Sequence, residues 1–238
     1  MLGGLHITVD GRKVGGVEWE SQKAQEFFAF LVCNRHGKSR EELIEVLWPD
    51  IAVGLSRNAF HNNVYRTRRA LYKTCVVLQE GRYRLNPEGR FGFDLEEFRN
   101  LSREATLAKP CSKKQLSLLT EANRRYRGEF LQGIDADWVI PITMEAERLY
   151  LSNLTRLAEV HASQGDCAAA VAVLERALAI DPTDVDTQEL IVKLLVRSGS
   201  MAEARKRHEG FRRLMLAELG AEPPRDFPDL CVLAATPK

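Results

Sequence analysis

From Ile51 to Gln79 the chain contains no aspartate or glutamate, yet it carries Arg57, Arg66, Arg68, Arg69 and Lys73. Within this interval Phe60, Val64, Thr67 and Leu71 recur at steps of four, three and four. Residues 56–73 therefore read as one amphipathic helix with those four side chains on a single face. The opposite face holds Asn58, His61, Asn62, Tyr65, Arg66 and Arg69. An acid-free back rich in amides and arginines suits a DNA major groove. Arg and Asn pair bidentately with guanine and adenine edges, and the remaining cations meet phosphates. A solvated basic surface helix has the same composition, so the flanking segments decide between the two.

Upstream, Leu5, Ile7 and Val9 alternate with His6 and Thr8 before Asp10-Gly11, the pattern of a half-buried strand entering a turn. Val14 to Trp19 reads as a weaker second strand, broken by Gly15-Gly16. A helix follows from about Ser21 to Cys33, with Ala24, Phe27, Phe28, Leu31 and Val32 on its apolar face. Ser39-Arg-Glu-Glu42 is a capping box, opening a helix through Leu43, Ile44, Val46, Leu47 and Trp48 that Pro49 stops. A loop from Asp50 to Leu55 then enters the basic helix. Two helices and a turn before a basic helix is the order of a helix-turn-helix. Downstream, Val76, Val77 and Leu78 form a strand, Glu80-Gly81 a turn, and Tyr83 and Leu85 share one side of a second strand. A hairpin at that place is a wing. Two readings stand open for Arg82 and Arg84: contacts to a phosphate or minor groove, or exposed arginines on a hairpin that only closes the sheet. Strands, three helices and hairpin together describe a winged helix-turn-helix with an N-terminal sheet.

These residues also carry a family resemblance. Leu2-Gly3-Gly4 with the first strand, the Lys23-Ala24 helix, Arg40-Glu-Glu-Leu43 with Leu47-Trp-Pro49, Asn58-Ala59 with Val64 and Arg66-Thr-Arg-Arg-Ala-Leu71, and Gly81-Arg-Tyr-Arg-Leu85 resemble one bacterial domain. It is the DNA-binding domain of antibiotic-regulatory-protein type activators, a cousin of the response-regulator winged helix. In this chain the first strand begins a few residues late, and the wing has one residue more than the usual Gly-Tyr-x-Leu.

The second part reads as helix. Asp94 and Glu97 look like an N-cap and its capping partner, followed by Leu95, Phe98 and Leu101; Ser112-Lys-Lys-Gln115 opens a further helix. Residues 126–138 read as a loop with two glycines and aromatic anchors. Beyond Thr143 there is an internal repeat: Gly165 and Gly199 lie 34 residues apart, as do Ala170 and Ala204, with Asp181-Pro182 between. A 34-residue period with Gly at the inner turn, Ala at the helix crossing and Pro at the end is the tetratricopeptide pattern. Ser200-Met-Ala-Glu203 reads as another capping box. Tyr126-Arg-Gly-Glu-Phe-Leu131, Trp138, the Glu147-Arg-Leu149 helix and Glu218 to Pro223 resemble the bacterial transcriptional activator domain that follows the winged helix in the same family. The resemblance runs from about residue 2 to residue 224. The expected fold is an α+β winged helix-turn-helix over residues 1–93, an all-α tetratricopeptide-like domain over residues 94–224, and a flexible Pro-rich tail over residues 225–238. Longer members of the family continue into a nucleotide-hydrolysing module; no G-x-x-x-x-G-K-[ST] occurs here.

Composition bounds the function. The net charge of +1 hides an asymmetry, +4 over residues 1–93 and −3 over residues 94–238. That fits a nucleic-acid module joined to a protein-binding one. Cys33, Cys75, Cys111, Cys167 and Cys231 are odd in number, widely spaced and without CxxC, which suits a reducing cytosol rather than a disulfide framework or zinc site. No apolar run can span a membrane and the start lacks a signal-peptide layout, so the expected location is cytoplasmic. His6, His36, His61, His161 and His208 are scattered, with no HExxH and no nucleophile elbow. An enzyme is not expected, and neither is a cofactor.

The reading that emerges is a sequence-specific DNA-binding transcriptional regulator, an activator. Asn58, His61, Asn62 and Tyr65 lie nearest the bases, Arg66 and Arg69 meet bases or backbone, and Arg57, Lys73, Arg82 and Arg84 meet phosphates, as does Arg68 unless it makes an internal ion pair. The resemblance adds a homodimer on double-stranded DNA and contact with RNA polymerase. Two alternatives remain: a protein-interaction scaffold whose winged helix no longer reads DNA, and the DNA-binding portion of a longer signal-responsive regulator. The acid-free interval separates the first of these from the leading reading, because a scaffold has no need of it. Trp48, Trp138, Phe27, Phe28 and Phe60 read as core. The Arg205-Lys-Arg-His208 run and Arg212-Arg213 read as a solvated helix face.

Overall fold

A computed structural model describes residues 1–89 and 92–223. The tail expectation for residues 225–238 lies outside the described residues. The chain is mostly helical, with two small antiparallel sheets, and forms two compact units. The first comprises Met1–Glu97 together with Arg125–Ala146; the second comprises Phe98–Arg124 and the chain from Glu147 onward. In this grouping residues 125–146 go with the first unit.

The first unit opens with β1 (Ile7–Val9) and β2 (Arg12–Val14), paired Ile7 to Val14 and Val9 to Arg12. Asp10 and Gly11 both have positive φ, 49° and 80°, as a type I′ hairpin turn requires. The expected second strand over Val14–Trp19 is not formed. Beyond Val14 the chain makes a single helical turn, α1 (Gly16–Trp19), because the Glu18 carboxylate accepts the Gly15 N–H at 3.0 Å. That turn sends Trp19, 2% exposed, onto Phe28 at 5.5 Å between ring centroids.

The next helix, α2 (Gln22–Cys33), is the centre of the unit. Every residue from Glu26 to Val32 is buried, well beyond the one-sided face read from periodicity. A helix apolar on all sides must be covered on all sides. One cover is the third helix of the motif; the other is residues 125–146, where Trp138 meets the Phe30 ring at 5.1 Å and donates its indole N–H to the buried Glu26 carboxylate at 3.2 Å. Lys23 pairs with the same carboxylate at 2.6 Å. The chain start joins this cover, with Leu131 N–H donating to Met1 O and Gly3 N–H to Glu129 O, both at 2.9 Å.

Ser39 and Glu42 form the expected box, the Glu42 N–H donating to Ser39 Oγ at 3.1 Å and the Ser39 N–H to Glu42 Oε2 at 2.8 Å. This opens α3 (Arg40–Leu47). The basic helix α4 spans Val53–Ala70, starting and ending three residues earlier than read. Its N-cap, Ala52, has no side-chain bond to signal the start. Phe60, Val64, Thr67 and Leu71 are all buried. Phe60 is the meeting point: its ring lies 5.9 Å from Phe27 of α2, 6.4 Å from Trp48 at the end of α3, and 4.8 Å from Tyr83.

Tyr83 belongs to the hairpin of β3 (Val76–Gln79) and β4 (Arg82–Leu85), whose turn residues Glu80 and Gly81 again have positive φ. The segment before α3 pairs with this hairpin: Lys38 and Tyr83 exchange backbone bonds of 3.0 and 2.8 Å. Gly37 allows the approach, because a Cβ there would stand 3.0 Å from the Tyr83 carbonyl oxygen. Glu42 adds a second tie, accepting from Lys38 at 3.0 Å and from Arg82 at 3.4 Å. Its carboxyl is held down to about 2, first by the Ser39 backbone N–H and then by Lys38.

The second unit is built from the rest of α5 (Asp94–Leu107), α6 (Lys113–Arg125), most of α7 (Ile140–Ser163), α8 (Cys167–Leu178), α9 (Val185–Arg197) and α10 (Met201–Leu219). At the start of α5 the expected Asp94/Glu97 capping box is absent. Asp94 instead accepts from the N–H groups of Leu2 and Leu95, at 3.0 and 2.9 Å, while Glu97 pairs with Arg125 at 2.9 Å. Asp94 is the first residue of α5 rather than the residue before it, so it is not placed as an N-cap, and its carboxylate turns to the chain start instead. The internal repeat recurs in three dimensions. Gly165 and Gly199 both have φ 82°, and Ala170 and Ala204 are both fully buried. The 6→1 and 4→1 backbone bonds ending α7 (Asp166 to His161, Gly165 to Ala162) recur 34 residues later at the end of α9 (Ser200 to Leu195, Gly199 to Val196). The caps differ: Asp166 accepts from the Ala169 N–H at 2.9 Å, whereas Ser200 caps nothing and turns to Ser198, so the expected box at Ser200 is not made. Arg207 is not on a solvated face either; it is half-buried and bonds Gln188 of α9 and Glu175 of α8.

Two outcomes follow for the first unit, which holds all three tryptophans. Phe60→Ala should lower its stability by about 3–5 kcal/mol, the range for deleting a buried aromatic ring. Urea unfolding followed by tryptophan fluorescence measures this, and a loss under about 1 kcal/mol would mean that Phe60 is not the hub. Because the Glu42 carboxyl is depressed, its ties stabilise the fold above its ordinary value of 4.5 and are lost as pH falls toward about 2. The stability difference between wild type and Glu42→Gln should therefore shrink across that window. A difference constant from pH 5 to pH 2.5 would contradict the assignment.

Candidate nucleic-acid interface

Because Phe60, Val64 and Thr67 face inward, the other side of α4 faces solvent. Asn58, Asn62, Tyr65 and Arg69 follow one another at steps of four, three and four and form one exposed ridge. His61 is exposed on one flank of the ridge and Arg66, half-buried, lies on the other. Arg57 is exposed nearer the α3 side, and Lys73 is exposed just past the end of the helix. The ridge continues toward the N-terminus to Leu55, which lies in the first turn of α4 and not in the loop expected over Asp50 to Leu55; it stands three positions before Asn58 and is 66% exposed.

The cations of the interval divide by what already holds them. The side chains of Arg66, Lys73 and Arg57 make no hydrogen bond or ion pair among the described residues. Arg57 does act at a distance on Glu41, whose carboxyl is held below its ordinary value first by its hydrogen bond from Arg40 and only last by the Arg57 charge. Arg69 is paired with Glu20 at 3.0 Å. Glu20 sits in a left-handed conformation, φ 55°, at the end of α1. Arg68 makes no ion pair among the described residues; its guanidinium donates twice to the Val76 carbonyl, at 3.1 and 2.8 Å, and so fastens α4 to the first wing strand.

The wing arginines are likewise engaged. Arg82 donates to the Gly37 carbonyl at 3.2 Å and pairs with Glu42; Arg84 donates to Gln79 across the hairpin. The structure thus brings Asn58, His61, Asn62, Tyr65 and Arg66 together on one helix, and gives Arg69, Arg82 and Arg84 intramolecular partners. Glu20 and Glu42 lie outside the acid-free interval, so reading the interval alone could not reveal them. Only the i, i+3 spacing back from Asn58 could have signalled Leu55.

Among the described residues no cluster of three or more His, Cys, Asp or Glu has metal-binding geometry, and no helix is long and apolar enough to cross a membrane.

Comparison with known proteins places this arrangement. The regulatory protein AfsR of Streptomyces coelicolor is 27% identical over 184 residues, 76% of this chain and 18% of that protein. The AfsR protein of Streptomyces griseus is 28% identical over 193 residues, 79% of this chain and 20% of that protein. The chain thus spans about a fifth of the length of these curated relatives. Among solved structures, Mycobacterium tuberculosis EmbR in complex with a low-affinity phosphopeptide superposes with a TM-score of 0.76 at 22% identity, covering 98% of this chain and 62% of that one. That likeness establishes the fold. Residues 93–230, more than half of the chain, match the bacterial transcriptional activator domain. The chain belongs to the bacterial transcriptional activator domain family, among regulators of the antibiotic-regulatory-protein type.

Proposed function

We propose that the chain is a DNA-binding transcriptional regulator that lays α4 in the major groove of double-stranded DNA. The carrying observation is the ridge of α4: exposed amides, an imidazole and a phenol on a helix whose whole interval lacks acids, flanked by Arg57, Arg66 and Lys73, whose side chains make no hydrogen bond or ion pair among the described residues. Amides reach base edges, and free cations replace the counterions of phosphates. Asn58, His61, Asn62 and Tyr65 face the bases and Arg66 their edges or the backbone. Arg57 and Lys73 meet phosphates. Arg69 joins them once it leaves Glu20. Arg82 and Arg84 serve first to hold the wing and touch phosphate only from the hairpin surface.

The helices of the second unit, with their 34-residue repeat, act as a tetratricopeptide-like platform for a second copy of the chain or for RNA polymerase. On this reading the protein works in the cytoplasm as an activator, carries no cofactor and is not an enzyme. Membership of the family supports the regulatory role, and the likeness to AfsR supports the type of regulator.

Selection from random duplexes at about 0.15 M salt, where exposed charges are screened beyond about 8 Å, tests the reading. Wild type should enrich a repeated half-site, and Asn62→Ala/Arg66→Ala should lose it. Weak binding with no enriched site would point instead to a scaffold, and the search would turn to proteins that bind residues 94–238. Glu20→Gln tests the Arg69 tie: an exposed pair of this kind is worth at most about 1 kcal/mol, so the variant should bind up to about fivefold more tightly. The gain should vanish in an Arg69→Ala background. A gain that persists there would show that Glu20 acts independently of Arg69.

A further inference from the structure

Leu55 is the apolar member of an otherwise polar ridge. It lies in the first turn of α4, where its N–H donates to the Ala52 carbonyl at 2.9 Å, and it precedes Asn58, Asn62, Tyr65 and Arg69 at steps of three, four, three and four. Its side chain is 66% exposed. The nearby hollow between α3 and α4, about 360 Å³, is lined by Ile44, Trp48, Pro49, Ile51, Ser56 and Arg57 and does not take Leu55. Most of the apolar surface of Leu55 is therefore left to solvent, on the same helix that carries the amides.

We propose that Leu55 is a specificity-determining residue that packs against the C5-methyl group of a thymine in the major groove. This rests on the reading of α4 as a groove-binding helix. The chemistry selects the occupant. The major groove presents one apolar feature, the thymine methyl, and the rest of its floor is hydrogen-bond donors and acceptors. In docked helices of this kind the N-terminal residues lie among the base edges. With a rise of about 1.5 Å per residue, Leu55 stands about 4.5 Å along the helix from Asn58. That is about one base-pair step, so the thymine neighbours the base pair that Asn58 addresses. The acid-free interval around Leu55 makes the electrostatics of this approach favourable for DNA; an acidic protein surface offers the same charge but no methyl array at base-pair spacing.

Deoxyuridine lacks only the methyl group and supplies the test. In the site selected by the full chain, each thymine is replaced in turn by deoxyuridine, and wild type is compared with Leu55→Ala. At one thymine per half-site wild type should lose about fourfold in affinity, the effect of one buried methyl-sized group. Leu55→Ala should bind the thymine site about that much more weakly, respond to no deoxyuridine at that position, and keep the wild-type salt slope, because leucine touches no phosphate. Its tryptophan fluorescence should match wild type, as expected for an exposed side chain.

No methyl effect at any thymine, or an effect that persists in Leu55→Ala, would overturn the assignment while leaving the DNA reading intact. Failure of wild type to enrich any site would overturn the DNA reading and this inference with it. Loss of a protein partner in Leu55→Ala with an unchanged DNA profile would assign Leu55 to a protein contact and overturn it as well.

Discussion

The ring of Phe60 decides where every other side chain of α4 points. Phe27, Trp48 and Tyr83 meet it from α2, the end of α3 and the wing, so one buried residue joins those three elements to α4. In a helix, fixing one side chain fixes the rotation of the rest, at about 100° per residue. With Phe60, Val64 and Thr67 seated, Asn58, Asn62 and Tyr65 have no direction left but outward. The polar ridge is thus a consequence of core packing, and its precision is the precision of that packing. Arg68 reinforces it, because two hydrogen bonds to the Val76 carbonyl tie the helix to the wing beside it.

The same logic explains why α2 is apolar nearly all round. A three-helix motif with a wing covers one side of such a helix and would leave Phe30 against water. Here residues 125–146 supply the missing side, with Trp138 over Phe30 and its indole N–H on Glu26. Burying a carboxylate is costly unless it is paired and hydrogen-bonded, and Lys23 and Trp138 provide both. The seam is specific as well as apolar, since a shifted Trp138 would leave the Glu26 carboxylate with one partner fewer. The segment that packs against the winged helix therefore lies within the span matched by the activator domain, so the sequence family and the compact unit divide the chain at different places.

Much of this was legible in the residues because it rests on local rules. The Ser39/Glu42 box, the Phe60–Val64–Thr67–Leu71 stripe, the wing turn at Glu80-Gly81 and the paired glycines at 165 and 199 all obey spacing that needs no knowledge of distant chain. What escaped depends on partners far away in sequence. Asp94 had the pattern of a cap and was taken instead by the Leu2 N–H. Ser200 had the pattern of a box and turned to Ser198. Val14–Trp19 had β-prone residues, but a glycine pair and the Glu18 carboxylate made a helical turn the easier local solution. The start of α4 was missed because Ala52 offers no capping oxygen, and that is why Leu55 stood outside the helix on paper.

Charge was the subtlest case. An interval free of acids suggests a fully available set of cations, yet availability is a property of space. Glu20, from the turn before α2, reaches Arg69, and Glu42, from the first turn of α3, reaches Arg82. Both pairs are exposed, so each weakens its arginine's claim on a phosphate only modestly, by the small free energy of a solvated ion pair. Arg57, Arg66 and Lys73, unpaired among the described residues, flank the ridge or follow it, and the tied arginines lie at its C-terminal end and on the wing. On the proposed reading, DNA association would draw first on Arg57 and Arg66 beside the amides, and on Lys73 just past the end of α4. On the same reading, engagement of Arg69 or Arg82 requires exchange of a carboxylate for a phosphate. Such an exchange leaves the number of ion pairs on the arginine unchanged but exposes a carboxylate near the duplex. It is favourable only where the phosphate is already held close by other contacts. A correctly seated site meets that condition and a sliding, non-specific complex does not, so the tied arginines make the difference between the two larger than free ones would.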